Sequence, residues 1–181
     1  MDKGIIYLKH LLLALTFCLF PATAQAIAPT AAKVVRLADG DTAVVDNGLI
    51  SDVRIACIDA PEVPHSRKEE ESADAIALTQ YKWGRLAQAR ISNLLANTGS
   101  TILVQPVSVD RYGRNIASVQ FQDGTDWGMR LVSEGLALVY EQYANVGCDK
   151  NKLLAAQAKA KEQGLGVWSE SVMIPWEFRK R

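Results

Sequence analysis

The sequence has few residues that act as soft metal ligands, and its positive and negative charges balance. Its 181 residues include only two histidines and three cysteines, and the formal net charge is +0. So few histidines and cysteines disfavour a metal site built from soft ligands. The balanced charge excludes a broad basic surface, which is typical of proteins that bind a polyanion. Any contact with a polyanion must therefore come from a few well-placed arginines.

Extremes of composition are missing as well. Hydrophobic residues make up 49% of the chain and charged residues 22%, which is ordinary for a globular protein and excludes a disordered or fibrous one. The length favours a single domain around one core. No internal repeat or long linker interrupts the sequence.

The amino-terminal segment has the composition of a signal peptide. An apolar run from Leu11 to Phe20 follows the basic residues Lys3 and Lys9, and Ala24-Gln25-Ala26 forms an A-x-A cleavage site, with Ala22-Thr23-Ala24 as a second one. The alternative is an uncleaved membrane anchor, but the run is shorter than the ~20 apolar residues that span a bilayer. The pattern thus predicts export.

Export has consequences for the rest of the chain. Cleavage of residues 1–26 would leave residues 27–181 as a monomeric domain that is periplasmic or secreted and has no stable membrane association. An oxidising compartment favours a disulfide between the remaining cysteines, Cys57 and Cys148. In the chain-entropy model, such a long-range bridge contributes about 4 kcal/mol. The alternatives are two buried thiols or a metal site, for which only His65 remains as a soft partner.

The order of predicted elements indicates an α+β fold. Five strands, with one helix after the third and two after the fifth, match a five-stranded OB-fold β-barrel with three helices. Residues 60–72, with two prolines and a run of charges, are predicted to be an exposed loop. The predicted strands are 33–37, 42–45, 49–58, 101–107 and 115–121, and the predicted helices are 72–96, 126–134 and 149–163.

Four short segments carry residues suited to chemistry, although each also has an ordinary explanation. Turns favour Asp and Gly, acids cap strand ends, arginines at turn tips are solvated, and apolar residues fill a core. The segments are Asp39-Gly40-Asp41-Thr42, Arg54 to Glu62, Asp110-Arg111-Tyr112-Gly113-Arg114, and Gly135 to Tyr140 with Tyr143 close behind.

The second segment has an arginine in an apolar strand. If the strand were regular, Arg54 would share one face with Ala56 and Ile58, while Cys57 and Asp59 would share the other. An arginine among apolar neighbours is unfavourable unless its guanidinium reaches an anion. The pattern therefore favours an anion partner for Arg54.

In this order and spacing, the four segments resemble the staphylococcal nuclease family. They match its D-G-D-T turn, its strand ending R-x-x-x-x-D-[TA]-P-E, its D-[KR]-Y-G-R turn and its G-L-A motif. A fifth match is Ala156-Gln157-Ala158-Lys159, followed by Val167-Trp168-Ser169-Glu170. The resemblance covers about residues 33 to 170.

The resemblance implies one bound Ca²⁺. Its ligands would be Asp41, Asp59 and the backbone carbonyl of Ala60, with Asp39 close to the ion but outside its direct ligands. Calcium takes about 6–8 oxygen ligands, so this set leaves room for waters and a substrate phosphate. Many relatives have threonine in place of Ala60, and a carbonyl ligand tolerates that exchange.

The resemblance also implies a catalytic set and an activity. Arg54 and Arg114 would bind phosphate, and Glu62 would act as the general base. The expected activity is calcium-dependent hydrolysis of DNA and RNA, with single strands preferred, little choice of base and 3′-phosphate products. The residues expected to bind the substrate are Arg111, Tyr112 and Tyr143.

Two other functions are compatible with this fold. One is a catalytically silent OB-fold protein that binds single-stranded nucleic acid, because fold alone does not determine function. A silent copy would be expected to lose some of the five residues Asp41, Arg54, Asp59, Glu62 and Arg114, and all five are present. The other is a structural calcium-binding protein, for which two carboxylates form a poor cage.

Overall fold

A closed β-barrel forms the centre of the computed structural model, which describes residues 28–181. Neighbouring strands run in the order β1-β2-β3-β6-β5 and pair antiparallel, except that β3 and β6 are parallel. The proposed signal peptide lies outside the described residues. The barrel strands are β1 Thr30–Leu37, β2 Thr42–Asp46, β3 Asp52–Ile55, β5 Thr101–Val109 and β6 Asn115–Phe121.

Helices and a second, two-stranded sheet surround the barrel. In the small sheet, β4 (Ile58–Asp59) pairs antiparallel with β7 (Leu138–Val139). None of the helices within residues 28–181 is both long and apolar enough to span a bilayer. The helices are α1 Arg67–Glu70, α2 Ala75–Thr98, α3 Trp127–Ser133, α4 Lys150–Glu162 and α5 Pro175–Phe178, with a 3-10 turn at Gly166–Ser169.

Local sequence explains where the longest helix begins and ends. The Asp74 carboxylate accepts a hydrogen bond from the backbone N–H of Ile76 and so caps the first turn of α2. Gly99 ends the helix with a φ of 92°, which a residue with a β-carbon rarely adopts. Between these ends, Ala87 and Ile91 recur at a four-residue spacing and are fully buried against the barrel.

The α+β, OB-type fold predicted from the sequence is confirmed, with two additions. Three helices, α2, α3 and α4, correspond to the predicted ones, whereas the single-turn helices α1 and α5 were not predicted. Part of the predicted exposed loop 60–72 is buried, since Pro61 and Val63 lie against the core. The loop prediction was wrong there because proline is a surface residue only on average.

The predicted third strand, 49–58, was too long, and its face assignment was wrong. Cys57 has a φ of 68° and separates β3 from β4. That left-handed residue breaks the two-residue alternation of side chains. Arg54 and Asp59, which a regular strand would place on opposite faces, consequently meet in an ion pair.

The disulfide between Cys57 and Cys148 is present in the structure, with a sulfur–sulfur distance of 2.06 Å. Cys148 lies just before Asp149, the N-cap residue of α4. The bridge therefore ties the break between β3 and β4 to the start of that helix. The predicted pairing is confirmed, and the alternative of two free thiols is wrong.

Reduction of this disulfide is expected to lower the free energy of unfolding by about 4 kcal/mol, because the bridge closes a long loop in the unfolded chain. Urea unfolding with and without reductant measures the change. The Cys148→Ser variant is the control and should not respond to reductant. Equal midpoints for the oxidised and reduced wild-type protein would contradict the expectation.

Candidate active site

Two buried carboxylates and one arginine form the centre of the candidate site. The guanidinium of Arg54 donates through Nη1 to Asp41 and through Nη2 to Asp59. Both aspartates are almost fully buried, at 1% and 0% exposure. The anion partner that the sequence predicted for Arg54 is thus a pair of carboxylates within the protein.

The barrel brings these three side chains together. Strand pairing sets Thr42, the residue after Asp41, opposite Arg54. Asp59 enters from β4 after the break at Cys57. The loop that follows is attached to Asp41, whose Oδ2 accepts the backbone N–H of Ala60 at 2.5 Å.

Close backbone packing of α2 supports both loops of the site. A β-carbon on Gly84 would lie 2.0 Å from the Glu62 carbonyl oxygen, so only glycine allows the helix to approach this closely. Similarly, a β-carbon on Gly40 would lie 2.6 Å from the β-carbon of Ala87. The indole N–H of Trp127 donates to the Gly40 carbonyl at 2.8 Å and holds the turn from the other side.

Burial and mutual repulsion control the ionisation of the two aspartates. Burial raises the pKa of Asp41 to about 7, although Arg54 acts in the opposite direction. Burial and the neighbouring Asp41 likewise raise the pKa of Asp59. Burial alone would lower the pKa of Arg54, but the carboxylates raise it, so the arginine stays charged. The site therefore favours additional positive charge.

Asp39 is close to this centre without joining the ion pairs. Its Oδ1 accepts the backbone N–H of Asp41 at 2.8 Å. Its charge also contributes to the raised pKa of Asp41. Asp39 thus fixes the turn and adds negative charge beside the buried pair.

Glu62 reaches the centre through a residue that the sequence did not indicate. Arg179, near the carboxyl terminus, forms ion pairs with both Asp59 and Glu62. The Glu62 side chain is 16% exposed, so it lies at the mouth of the site rather than within the core. The buried Gln80 supports the backbone at Glu62 and the chain that leads to Arg179. Its Oε1 accepts the Glu62 N–H at 3.4 Å, and its amide donates to the Met173 carbonyl.

Arg114 lies in the connection between β5 and β6, apart from the buried aspartates. Its Nε donates to Asp110 at 2.7 Å. The register pairs Arg54 with Ile116, two residues after Arg114. Arg54 and Arg114 therefore lie at neighbouring positions of adjacent chain segments.

The three residues expected to bind substrate are exposed. Arg111 packs over the ring of Tyr112, 4.8 Å from its centroid, at the tip of the turn between β5 and β6. Tyr112 is 68% exposed and Tyr143 is 63% exposed. Tyr143 contacts Tyr140, with 4.9 Å between ring centroids, in the turn that follows β7. The two tyrosines therefore belong to separate aromatic groups.

Comparison with known proteins identifies the family of this chain. A family model described as staphylococcal nuclease homologue matches residues 52–170, more than half of the chain. The chain belongs to the staphylococcal nuclease homologue family.

Relatives of this staphylococcal nuclease homologue occur in bacteria and fungi. A protein of Escherichia coli O157:H7 named uncharacterized endonuclease is 33% identical over 151 residues, covering 82% of this chain and 84% of that protein. A probable endonuclease of Schizosaccharomyces pombe is 33% identical over 138 residues, covering 71% and 55%. Endonuclease YhcR of Bacillus subtilis is 28% identical over 155 residues, covering 82% of this chain and 12% of the much longer relative.

The family is generally metal-dependent, and the chemistry of the donors in this homologue fits a hard cation. Asp41 and Asp59 offer carboxylate oxygens in a buried site, and burial, together with their mutual repulsion, raises the pKa of both. Within residues 28–181, no group of three or more His, Cys, Asp or Glu side chains is arranged to hold a metal ion. A cation bound here would need further ligands from backbone, water or substrate.

Arg179 and Gln80 are the site residues that sequence reasoning missed. Gln80 could have been found from the sequence, because it is a polar residue on the buried face of α2, between Ala77 and Trp83. Arg179 could not have been found in this way, because it lies beyond every motif and beyond the residues that the family model matches.

Replacing Gly84 by alanine is expected to lower the free energy of unfolding by about 2 kcal/mol, because overpacking outweighs the better helix propensity of alanine. The new methyl group would displace the backbone at Glu62. Urea unfolding measures the loss. Ser92→Ala, at an exposed position of the same helix, is the control and should change stability little. A Gly84→Ala protein as stable as wild type would contradict the expectation.

Replacing Asp41 by asparagine is expected to stabilise the metal-free protein by about 2 kcal/mol at pH 8 and by less at pH 5. The folded-state pKa of Asp41, about 7, exceeds its unfolded value, so the wild type loses stability as pH rises from about 4 to 7. Asparagine has no carboxyl group to ionise, so the variant does not lose stability in this way as the pH rises. Urea unfolding in chelator at both pH values measures it, and a stabilisation independent of pH would refute this explanation.

Proposed function

We propose that this protein is a calcium-dependent nuclease that hydrolyses phosphodiester bonds in DNA and RNA. The observation that carries the proposal is the convergence of Arg54 with the buried carboxylates of Asp41 and Asp59, beside Glu62 at the mouth of the site. Membership of a family with relatives named endonucleases supports it.

Two arginines are proposed to bind the scissile phosphate. Arg54 and Arg114 belong to adjacent chain segments, and each guanidinium can donate paired N–H groups to phosphate oxygens. Arg54 is held by two carboxylates and Arg114 by Asp110, so both side chains are restrained before substrate arrives. Restrained donors stabilise developing charge at little cost of reorganisation.

The ligands proposed for Ca²⁺ are Asp41, Asp59 and the carbonyl of Ala60. When bound, the ion supplies positive charge that stabilises the additional negative charge of the phosphate in the transition state. Asp39 holds the turn that carries Asp41 through its hydrogen bond to the backbone. Its role is to orient a ligand rather than to serve as one.

Glu62 is proposed to orient and deprotonate the water that attacks phosphorus. Attack in line with the 5′ oxygen breaks the P–O5′ bond and leaves a 3′-phosphate, while Arg114 stabilises the departing oxygen. A general base of this kind contributes about 10²–10⁴-fold to the rate. Glu62 must exchange its ion pair with Arg179 for the water before it can act.

Exposed aromatic and basic side chains suit a substrate without a fixed sequence. Arg111, Tyr112 and Tyr143 are proposed to contact the strand on either side of the cleaved bond. Stacking on tyrosine tolerates every base, and single strands leave their bases accessible. Because water is the nucleophile, no 2′-hydroxyl is needed, and DNA and RNA are both substrates.

The proposed setting is the periplasm or the extracellular medium, after removal of residues 1–26. The disulfide between Cys57 and Cys148 supports this setting, since such bridges persist in oxidising compartments. The proposed mature protein, residues 27–181, is one nuclease domain that acts as a monomer without stable membrane association.

Cleavage of single-stranded DNA and RNA in Ca²⁺ or in chelator tests the proposal. We expect cleavage in Ca²⁺, none in chelator, and rates at least about 10²-fold lower for Glu62→Gln and Arg114→Ala. The matched controls are Glu71→Gln and Arg67→Ala, which change an exposed ion pair outside the site and should retain wild-type rates.

The same experiment separates the proposal from its alternatives. A folded protein that binds single strands in Ca²⁺ without cleaving them would be a silent binding module. A protein that gains stability in Ca²⁺ but neither binds nor cleaves nucleic acid would be a structural calcium-binding protein. Either result would overturn the nuclease proposal.

A further inference from the structure

The carboxyl-terminal segment, residues 174–181, lies across the candidate site. From this segment, Arg179 donates through Nη2 to Oδ2 of Asp59 at 2.5 Å and through Nη1 to Oδ1 of Asp59 at 3.1 Å. Nη1 also forms an ion pair with Glu62. One guanidinium thus covers both oxygens of a proposed metal ligand and an oxygen of the proposed general base.

Specific packing positions this segment. The ring of Trp176 stacks on Tyr140 with 4.8 Å between centroids, and Phe178 meets Tyr81 edge-on at 6.1 Å. Pro175 is buried. The segment is therefore docked by its own side chains against α2, which carries Tyr81, and against Tyr140, which follows β7.

The contacts differ in how far they are protected from solvent. Arg179 is 39% exposed, whereas Asp59 is fully buried. A partly exposed arginine can exchange its partners for water at modest cost, but a buried carboxylate cannot be left without a positive partner. The guanidinium is the movable member of the pair, and another cation can replace it.

A metal ion at Asp59 needs at least one of the two oxygens that Arg179 occupies. Arg54 already donates to Oδ1 of Asp59, so the oxygen left for a metal ion is Oδ2, which among the described residues accepts from Arg179. Metal binding and the Arg179 ion pairs are consequently alternatives. The movement that frees Asp59 also removes the cation from Glu62, since Nη1 is shared between them.

We propose that Arg179 is an internal cation that competes with the metal for Asp59, so that the carboxyl-terminal segment closes the metal-free site. The inference rests on the proposed function, because it takes Asp59 as a metal ligand. Metal binding displaces the guanidinium and releases Glu62 in the same step. The general base is thereby withheld until the metal is present.

Calcium binding by the purified protein, measured by isothermal titration calorimetry without substrate, tests this competition. We expect Arg179→Gln to bind Ca²⁺ about tenfold more tightly than wild type, as for a site that is closed in about nine of ten metal-free molecules. The matched control is Arg181→Gln in the same segment. Arg181 pairs with Asp74 outside the site, so its replacement should leave the affinity within about twofold of wild type.

Two further measurements separate competition from a general structural effect. Arg179→Lys keeps the charge but loses the paired donors, so its affinity should lie between those of wild type and Arg179→Gln. In the wild type, Ca²⁺ should increase amide hydrogen exchange in residues 174–181. Thermal unfolding in chelator identifies any variant that fails to fold.

The possible outcomes are distinct. Unchanged or weaker Ca²⁺ binding by Arg179→Gln would overturn the inference, and so would an increase in KM for DNA at saturating Ca²⁺ without a change in affinity, which would make Arg179 a substrate contact. Tighter Ca²⁺ binding in a protein that cleaves nothing would support the closed site and refute the nuclease proposal. If neither protein binds Ca²⁺, the competition is refuted, whereas cleavage assays still decide the activity.

Discussion

The buried carboxylates of Asp41 and Asp59 must have positive partners, and much of the structure serves to hold those partners in place. Removing ions from water costs several kcal/mol each, which only close opposite charge and hydrogen bonds can offset. Arg54 satisfies both Asp41 and Asp59 from within the barrel, and Arg179 satisfies Asp59 from outside. A nuclease of this family thus keeps a highly charged centre folded by placing arginines against its buried carboxylates.

That centre depends on contacts spread over the whole sequence. The turn with Asp41 is held by Trp127 from α3, and the loop with Glu62 rests on Gly84 of α2. The disulfide attaches the approach to Asp59 to the start of α4. The segments that carry Asp41, Asp59 and Glu62 are therefore each held by an element remote in sequence, which restrains the geometry of the site.

The sequence predicted the features that have a local pattern. Side-chain alternation and turn residues indicated the five barrel strands, and the apolar spacing of residues such as Ala87 and Ile91 indicated α2. The motifs placed Arg54 near an anion. The left-handed conformation of Cys57 was not predictable, because nothing in its local sequence calls for a break there. The position of Arg179 follows from long-range packing of the carboxyl-terminal segment. Residues 174–181 are too few to show a periodic signal of that packing.

The touching backbones of Glu62 and Gly84 give the fold a place where it can vary in length. Residues 63–83 connect two points whose backbones are already in close contact, so they form an excursion whose two ends are joined. The entropy of closing such a loop rises only slowly as residues are added. Its exposed part around Arg67–Glu70 can accordingly accept insertions or grafted peptides while the barrel geometry stays the same.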